Sequence, residues 1–323
     1  MKRSLVWMLL TALLLTGGLA QSVAASEGTV RMAVLQSDIH HLAFWVALEK
    51  GYFNANGVTV EIAGIFRAGP EIMSAFSAGE LDMAYVGEAP ATTAVANKAA
   101  KVVVVAQVNT EGSALVVAKD SAAIRSLTDL KGKTVAVPGH STVQDFLLRK
   151  ALKNAFIALK TVNIIVLKPP EMIHALRTGQ IDAFIAWEPH PSKAASMRVG
   201  RNLATSNHMW PGHPCCVLVT DEEFLSEQHD KVRAVVAAHV QATDYIHQNL
   251  EEAIAIGVQS TGMDEATVRR AIQNVNFTVK LNVAGEKEYV RFLSELGYIQ
   301  LKHPDGFVDQ FLQGDILRNL TPQ

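Results

Sequence analysis

Residues 70–82 (PEIMSAFSAGELD) and residues 170–182 (PEMIHALRTGQID) are two versions of one pattern, set one hundred residues apart, and the match runs on until Glu88 meets Glu188. In each copy a proline stands where helices start and apolar residues follow at helical spacing. A glycine, Gly79 or Gly179, then supplies a left-handed helix end. An apolar run of strand length comes next, residues 81–86 and 181–186. The upstream parts correspond too. Residues 30–35 read as a buried strand, followed by Gln36-Ser37-Asp38 and a helix over 42–50. Their counterparts are 134–137, Gly139-His140-Ser141-Thr142 and a helix from 143 to about 159. A further strand follows each helix, 58–62 and 162–167. Strand–helix–strand–helix–strand occurs twice. The expectation is an α/β protein of two lobes, each a mostly parallel sheet flanked by helices, with a ligand cleft between them.

Strands over 102–108 and 114–118 flank Asn109-Thr110-Glu111-Gly112-Ser113 and should carry the chain into the second lobe, with 217–220 on the return. Past Asp221 the pattern is helical: 231–250, 251–258, 265–274, 285–296 and 306–312. These helices are expected to pack back on the first lobe. Its residues are then 26–112 and 221–323, with 113–220 as the second lobe.

The composition permits this and excludes much else. Of 323 residues, 49% are hydrophobic and 19% charged, with a formal net charge of −2. That is ample for a packed core, and it carries no cationic signature of nucleic-acid binding. One apolar run concerns a membrane, and it is N-terminal. Lys2-Arg3, the stretch 5–15 and Val23-Ala24-Ala25 form the three parts of a secretory signal peptide, so residues 1–25 are set aside and cleavage is expected near Ala25. Removing Lys2 and Arg3 leaves 27 basic against 31 acidic residues. The sole cysteines are Cys215 and Cys216, so no thiol lies near the cleavage site to take a lipid anchor. A periplasmic protein is expected, with both cysteines as small buried groups.

In open α/β sheets ligands lie beyond the carboxyl ends of the strands. The candidate ligand-binding residues are therefore Gln36, Ser37, Asp38, His40, His41, Arg67, Gly87, Glu88, Asn109, Thr110, His140, Ser141, Thr142, Trp187 and Glu188. Gly139-His140-Ser141-Thr142 is a glycine turn into a helix, where backbone N–H groups and hydroxyls suit an oxyanion; Ser141 or Thr142 as a plain helix cap is the competing reading. Arg67 could pair with an anion or be solvated. Glu88 and Glu188 could bond a ligand or brace loops, and Trp187 could stack on a planar ligand or close the cleft. Asp82 and Asp182 fall at the opposite sheet end and read as structural.

His40, His41, His140 and His190 all fall in candidate loops, and His208 and His213 lie near the return crossing. Imidazoles converging on a cleft could bind a metal, but no HExxH or His-x-His spacing occurs and the cysteines offer no zinc-type pattern. Ordinary hydrogen bonding to an organic or oxyanionic ligand is expected, with no metal and no cofactor. The GxSxG, Walker and GxGxxG signatures are absent, so no enzyme is expected.

Residues 44–53 (FWVALEKGYF) and 57–61 (GVTVE) resemble the opening of ABC-transporter solute-binding proteins of the nitrate/sulfonate/taurine/bicarbonate (NMT1/THI5-like) type. Gly79-Glu80-Leu81-Asp82, residues 130–137 (LKGKTVAV) and Gly179-Gln180-Ile181-Asp182-Ala183 are similar to that family's later landmarks. The resemblance implies a type II periplasmic-binding fold, and delivery of a small solute to an inner-membrane permease with its cytoplasmic ATPase, as a monomer. Family members handle oxyanions, alkanesulfonates, taurine and thiamine-precursor pyrimidines. Ser37-Asp38-Ile39-His40-His41 departs from the small residues usual there, which points to an aromatic or heterocyclic ligand held by Trp187 and the histidines. The alternative is a thiamine-precursor pyrimidine-binding protein, or an enzyme of pyrimidine-precursor synthesis on the same fold.

Overall fold

The computed structural model describes residues 28–318 and 320, so the signal-peptide reading lies outside the described residues. The strands are β1 (Thr29–Leu35), β2 (Thr59–Phe66), β3 (Met83–Gly87), β4 (Val102–Glu111), β5 (Ser113–Ala118), β6 (Thr134–Val137), β7 (Asn163–Val166), β8 (Ala183–Trp187), β9 (Gly200–Thr205), β10 (Pro214–Asp221) and β11 (Val275–Phe277). They form two sheets in the orders β11-β4-β10-β3-β1-β2 and β7-β6-β8-β5-β9, with helices on their faces.

The duplication survives in atomic detail. β1 runs parallel to β2 and β3, as β6 does to β7 and β8. The repeated helices are Gly69–Ser77 and Pro169–Arg177, and Gly79 and Gly179 both adopt φ 71° beyond them. The repeated aspartates do one job twice. Asp82 accepts from the Arg31 N–H at 2.7 Å, and Asp182 accepts from the Thr134 N–H at 2.8 Å. Each thereby ties the start of one central strand to its parallel neighbour, far from the cleft.

The sheets are more mixed than the apolar runs suggested. β10 is antiparallel to both β3 and β4, and β5 to both β8 and β9. These strands carry the chain between lobes, so their direction follows from the crossing. β10 lies in the first sheet, which puts the return crossing between Thr205 and Pro214, earlier than the expected boundary at 220. β11 was not anticipated, because three residues between helices leave no periodicity to read.

The C-terminal helices do pack on the first lobe. His229–Gln248 lies against Leu42–Glu49, where the Tyr85 hydroxyl meets His239 Nδ1 at 3.1 Å. They also reach the second lobe. Lys193 pairs with Asp264 at 2.8 Å, Lys150 pairs with Glu288, and the Tyr298 hydroxyl donates to Asp145 at 2.9 Å.

The outgoing crossing is a single residue. Gly112 stands between β4 and β5 at φ 85°, a conformation that L side chains resist. A Cβ there would lie 2.3 Å from His40 Nε2, whereas one at Gly79 meets nothing within 4 Å. Gly79→Ala should therefore cost about 1–2 kcal/mol, the left-handed backbone alone. Gly112→Ala should cost well over about 2 kcal/mol, since strain and collision add. Urea unfolding of the two variants tests this, and equal losses would show that the His40 contact yields freely.

Candidate functional site

The carboxyl ends of the central strands from both sheets meet at a small interlobe cavity. Its volume is about 10 Å³, and it is lined by Leu35, Asp38, His40, Gly69, Gly87, Pro90, Thr142, Val143, Gln144, Trp187, Cys215 and Cys216. That is room for one water-sized occupant.

Of the residues picked from sequence, Asp38, His40, Gly87, Thr142 and Trp187 come together here. Asp38 caps the turn Ile39–His41 by accepting from the His40 N–H at 2.9 Å, which fixes both rings. His40 Nε2 lies 2.9 Å from the Gly112 carbonyl, and a carbonyl can only accept, so Nε2 carries a proton and Nδ1 faces inward. Next to it His41 Nδ1 accepts from the Leu35 N–H at 3.1 Å. Thr142 caps the helix Val143–Asn154: its hydroxyl donates to the Gly139 carbonyl and accepts from the Asp145 N–H. The capping reading therefore accounts for that hydroxyl, while the helix's positive end still faces the cavity. Trp187 crosses the cleft to join an apolar cluster of the first lobe that includes Leu35, Ala84 and Val217.

The others lie elsewhere. Gln36 and Arg67 are exposed, Ser37 is half-buried at φ 49°, and Arg67 offers its backbone N–H to Glu71. His140 and Ser141 line a separate groove of about 330 Å³ with Pro70 and Pro90. The buried Asn109 accepts from the Cys216 N–H at 3.2 Å, and Thr110 accepts from Asn276. Glu188 accepts from Ser192 and Asn274 and faces a groove of about 350 Å³ with Glu111, Ser113 and Asn276.

Sequence reasoning missed Cys215, Cys216 and Gln144. Cys215 Sγ lies 3.4 Å and Cys216 Sγ 3.7 Å from His40 Nδ1. Consecutive strand residues normally face opposite ways. Here a β-bulge intervenes: Pro214 pairs with Thr110 and Cys216 with Asn109, leaving Cys215 as the extra residue. The only sequence signal was the pair itself. Burial works against charge on His40, but Cys215 and Asp38 beside it hold it up at about 9. Burial raises Asp38 to about 7. Burial also opposes a Cys215 thiolate, yet Cys216 and the His40 charge pull that thiol well below its usual range, while burial pushes Cys216 up.

Glu88 belongs to a second buried cluster with Gln107, Thr92 and Glu286. Burial pushes Glu88 up to about 7 and Glu286 well above the usual carboxylate range, and Glu286 donates its retained proton to Glu88. The folded pair thus keeps protons that the unfolded chain releases. Its contribution to stability is full below about pH 4.5 and declines as pH rises through 7. Glu286→Gln keeps a donor and cannot ionise. Urea unfolding should show this variant gaining on the parent as pH rises from about 4.5 to about 8; parallel curves would exclude the shared proton.

The NMT1-like family model matches residues 24–259. A chain of Brucella abortus described as a binding protein is 29% identical over 231 residues, 71% of this chain and 70% of its own. The taurine-binding periplasmic protein of Escherichia coli is 30% identical over 180 residues, 55% of this chain and 54% of its own. Among solved structures, the alkanesulfonate-binding protein of Xanthomonas axonopodis bound to MOPS superposes with a TM-score of 0.76 at 19% identity, covering 89% of this chain and 98% of that one. The fold is thus the two-lobed one of periplasmic binding proteins, and the chain belongs to the NMT1-like family.

Proposed function

We propose that this solute-binding protein of an ABC importer closes its lobes around a small anionic or heterocyclic solute in the periplasm. It then hands that solute to an inner-membrane permease served by a cytoplasmic ATPase. The observation that carries this reading is the convergence of strand ends, a helix N-terminus and polar side chains from both lobes on one enclosed cavity. The lobes are joined by the Gly112 crossing and the return before Pro214, which suits a hinge. A solute larger than water must enter through opening at that hinge. The taurine and alkanesulfonate names of its relatives support an anionic guest. The buried Trp187 indole N–H has no protein partner and can donate to a solute oxygen or ring nitrogen. The relatives from Brucella abortus, Escherichia coli and Xanthomonas axonopodis are described as binding proteins, and we assign no catalytic step.

Native mass spectrometry of the purified protein, then denaturation, should release and identify the solute. With it in hand, small-angle scattering should show compaction on binding. Trp187→Phe keeps the ring packing and loses the donor, so calorimetry should show capture weakened about tenfold, the worth of one hydrogen bond. The reading fails if nothing is released and taurine, short alkanesulfonates, nitrate, bicarbonate and aminopyrimidines change neither melting temperature nor radius.

A further inference from the structure

We propose that His40, Cys215 and Cys216 hold a zinc-type divalent cation at the wall of the interlobe cavity, with its remaining coordination position open to the solute. The three donor atoms lie within 4.8 Å of one another, and all three residues are buried. The two Sγ to Nδ1 distances, 3.4 and 3.7 Å, bracket the edge of about 3.6 Å expected for tetrahedral zinc with Zn–N about 2.05 Å and Zn–S about 2.3 Å.

The surroundings are those of a metal ligand. His40 spends Nε2 on the Gly112 carbonyl, the second contact that fixes tautomer and ring orientation in metal-bound histidines. The β-bulge turns two adjacent cysteines to one side, which a regular strand cannot do. Asp38 Oδ2 and His41 Nε2, with Cys216 Sγ, form an adjoining cluster within 4.8 Å, and both are buried without a hydrogen-bond partner. Binding displaces the proton between Nδ1 and Cys215 and the Cys216 thiol proton. Two thiolates then neutralise the cation, so no net charge is buried. Two cysteines and one histidine leave zinc one position short, as in sites that bind an exogenous ligand. The open-position part of the proposal rests on the solute-capture reading.

The test uses reduced, metal-stripped protein. Zinc titrated against a chromophoric chelator should bind at one equivalent. Zinc-edge X-ray absorption on the unaltered protein should show two sulfurs and one imidazole, and cobalt should give a thiolate charge-transfer band. Cys215→Ser, Cys216→Ser and His40→Gln should each abolish the band, while His140→Gln should keep it. No stoichiometric zinc, or a shell of nitrogen and oxygen alone, overturns the site; this measurement does not depend on any variant folding. The solute found by mass spectrometry should bind the zinc-loaded form at least tenfold more tightly. Equal affinity without zinc overturns the open position and leaves capture intact. A two-sulfur shell in a protein that binds no solute supports the site and removes capture.

Discussion

The contact between the His40 ring and the Gly112 carbonyl governs how this molecule is put together. Gly112 is the only residue separating β4 from β5, so it is where the chain leaves one sheet for the other. The ring packs where a Cβ would be, so the crossing must be glycine and the ring cannot drift. The same carbonyl accepts from the Glu188 N–H at 2.8 Å, which brings the end of β8 to the same point. One peptide group thus registers the first lobe's turn, the second lobe's sheet and the interlobe crossing.

From that point the two copies diverge in use. Their far ends stay alike, because Asp82 and Asp182 each clamp a strand start. At the near ends, Glu88 shares a proton with Glu286, while Glu188 accepts from Ser192 and Asn274. The C-terminal segment supplies a partner to each, Glu286 to Glu88 and Asn274 to Glu188, but one is a carboxyl and the other an amide. Its pairs with Lys150 and Lys193 reach across to the second lobe, so the added segment ties the lobes together as well as covering a face. These pairs are partly exposed and individually worth little.

The cavity wall combines donors that ordinary solute capture does not require. An anion site needs N–H groups and a positive field, which the helix beginning at Val143 and the Trp187 indole can supply. The sulfur–imidazole cluster is a soft, dry donor set. Its presence beside the helix end gives the cleft two distinct chemistries within one small volume.

Much was legible in the chain itself. The hundred-residue repeat, its prolines and its glycines determined two α/β lobes, because helix starts, helix ends and strand lengths are set by local backbone chemistry. The rule that ligands lie past strand ends located Asp38, His40, Gly87, Thr142 and Trp187 at the cavity. Local pattern could not separate these from Gln36 or Arg67, since neighbours in one loop differ in burial only after packing. Nor could it join Cys215 to His40 across 175 residues. Both cysteines facing one histidine depends on a bulge in β10, and that bulge exists only in register with β4. Sequence alone determined the lobes through short-range conformational preference. Tertiary structure decided the site, because strand register and burial are properties of the packed sheet.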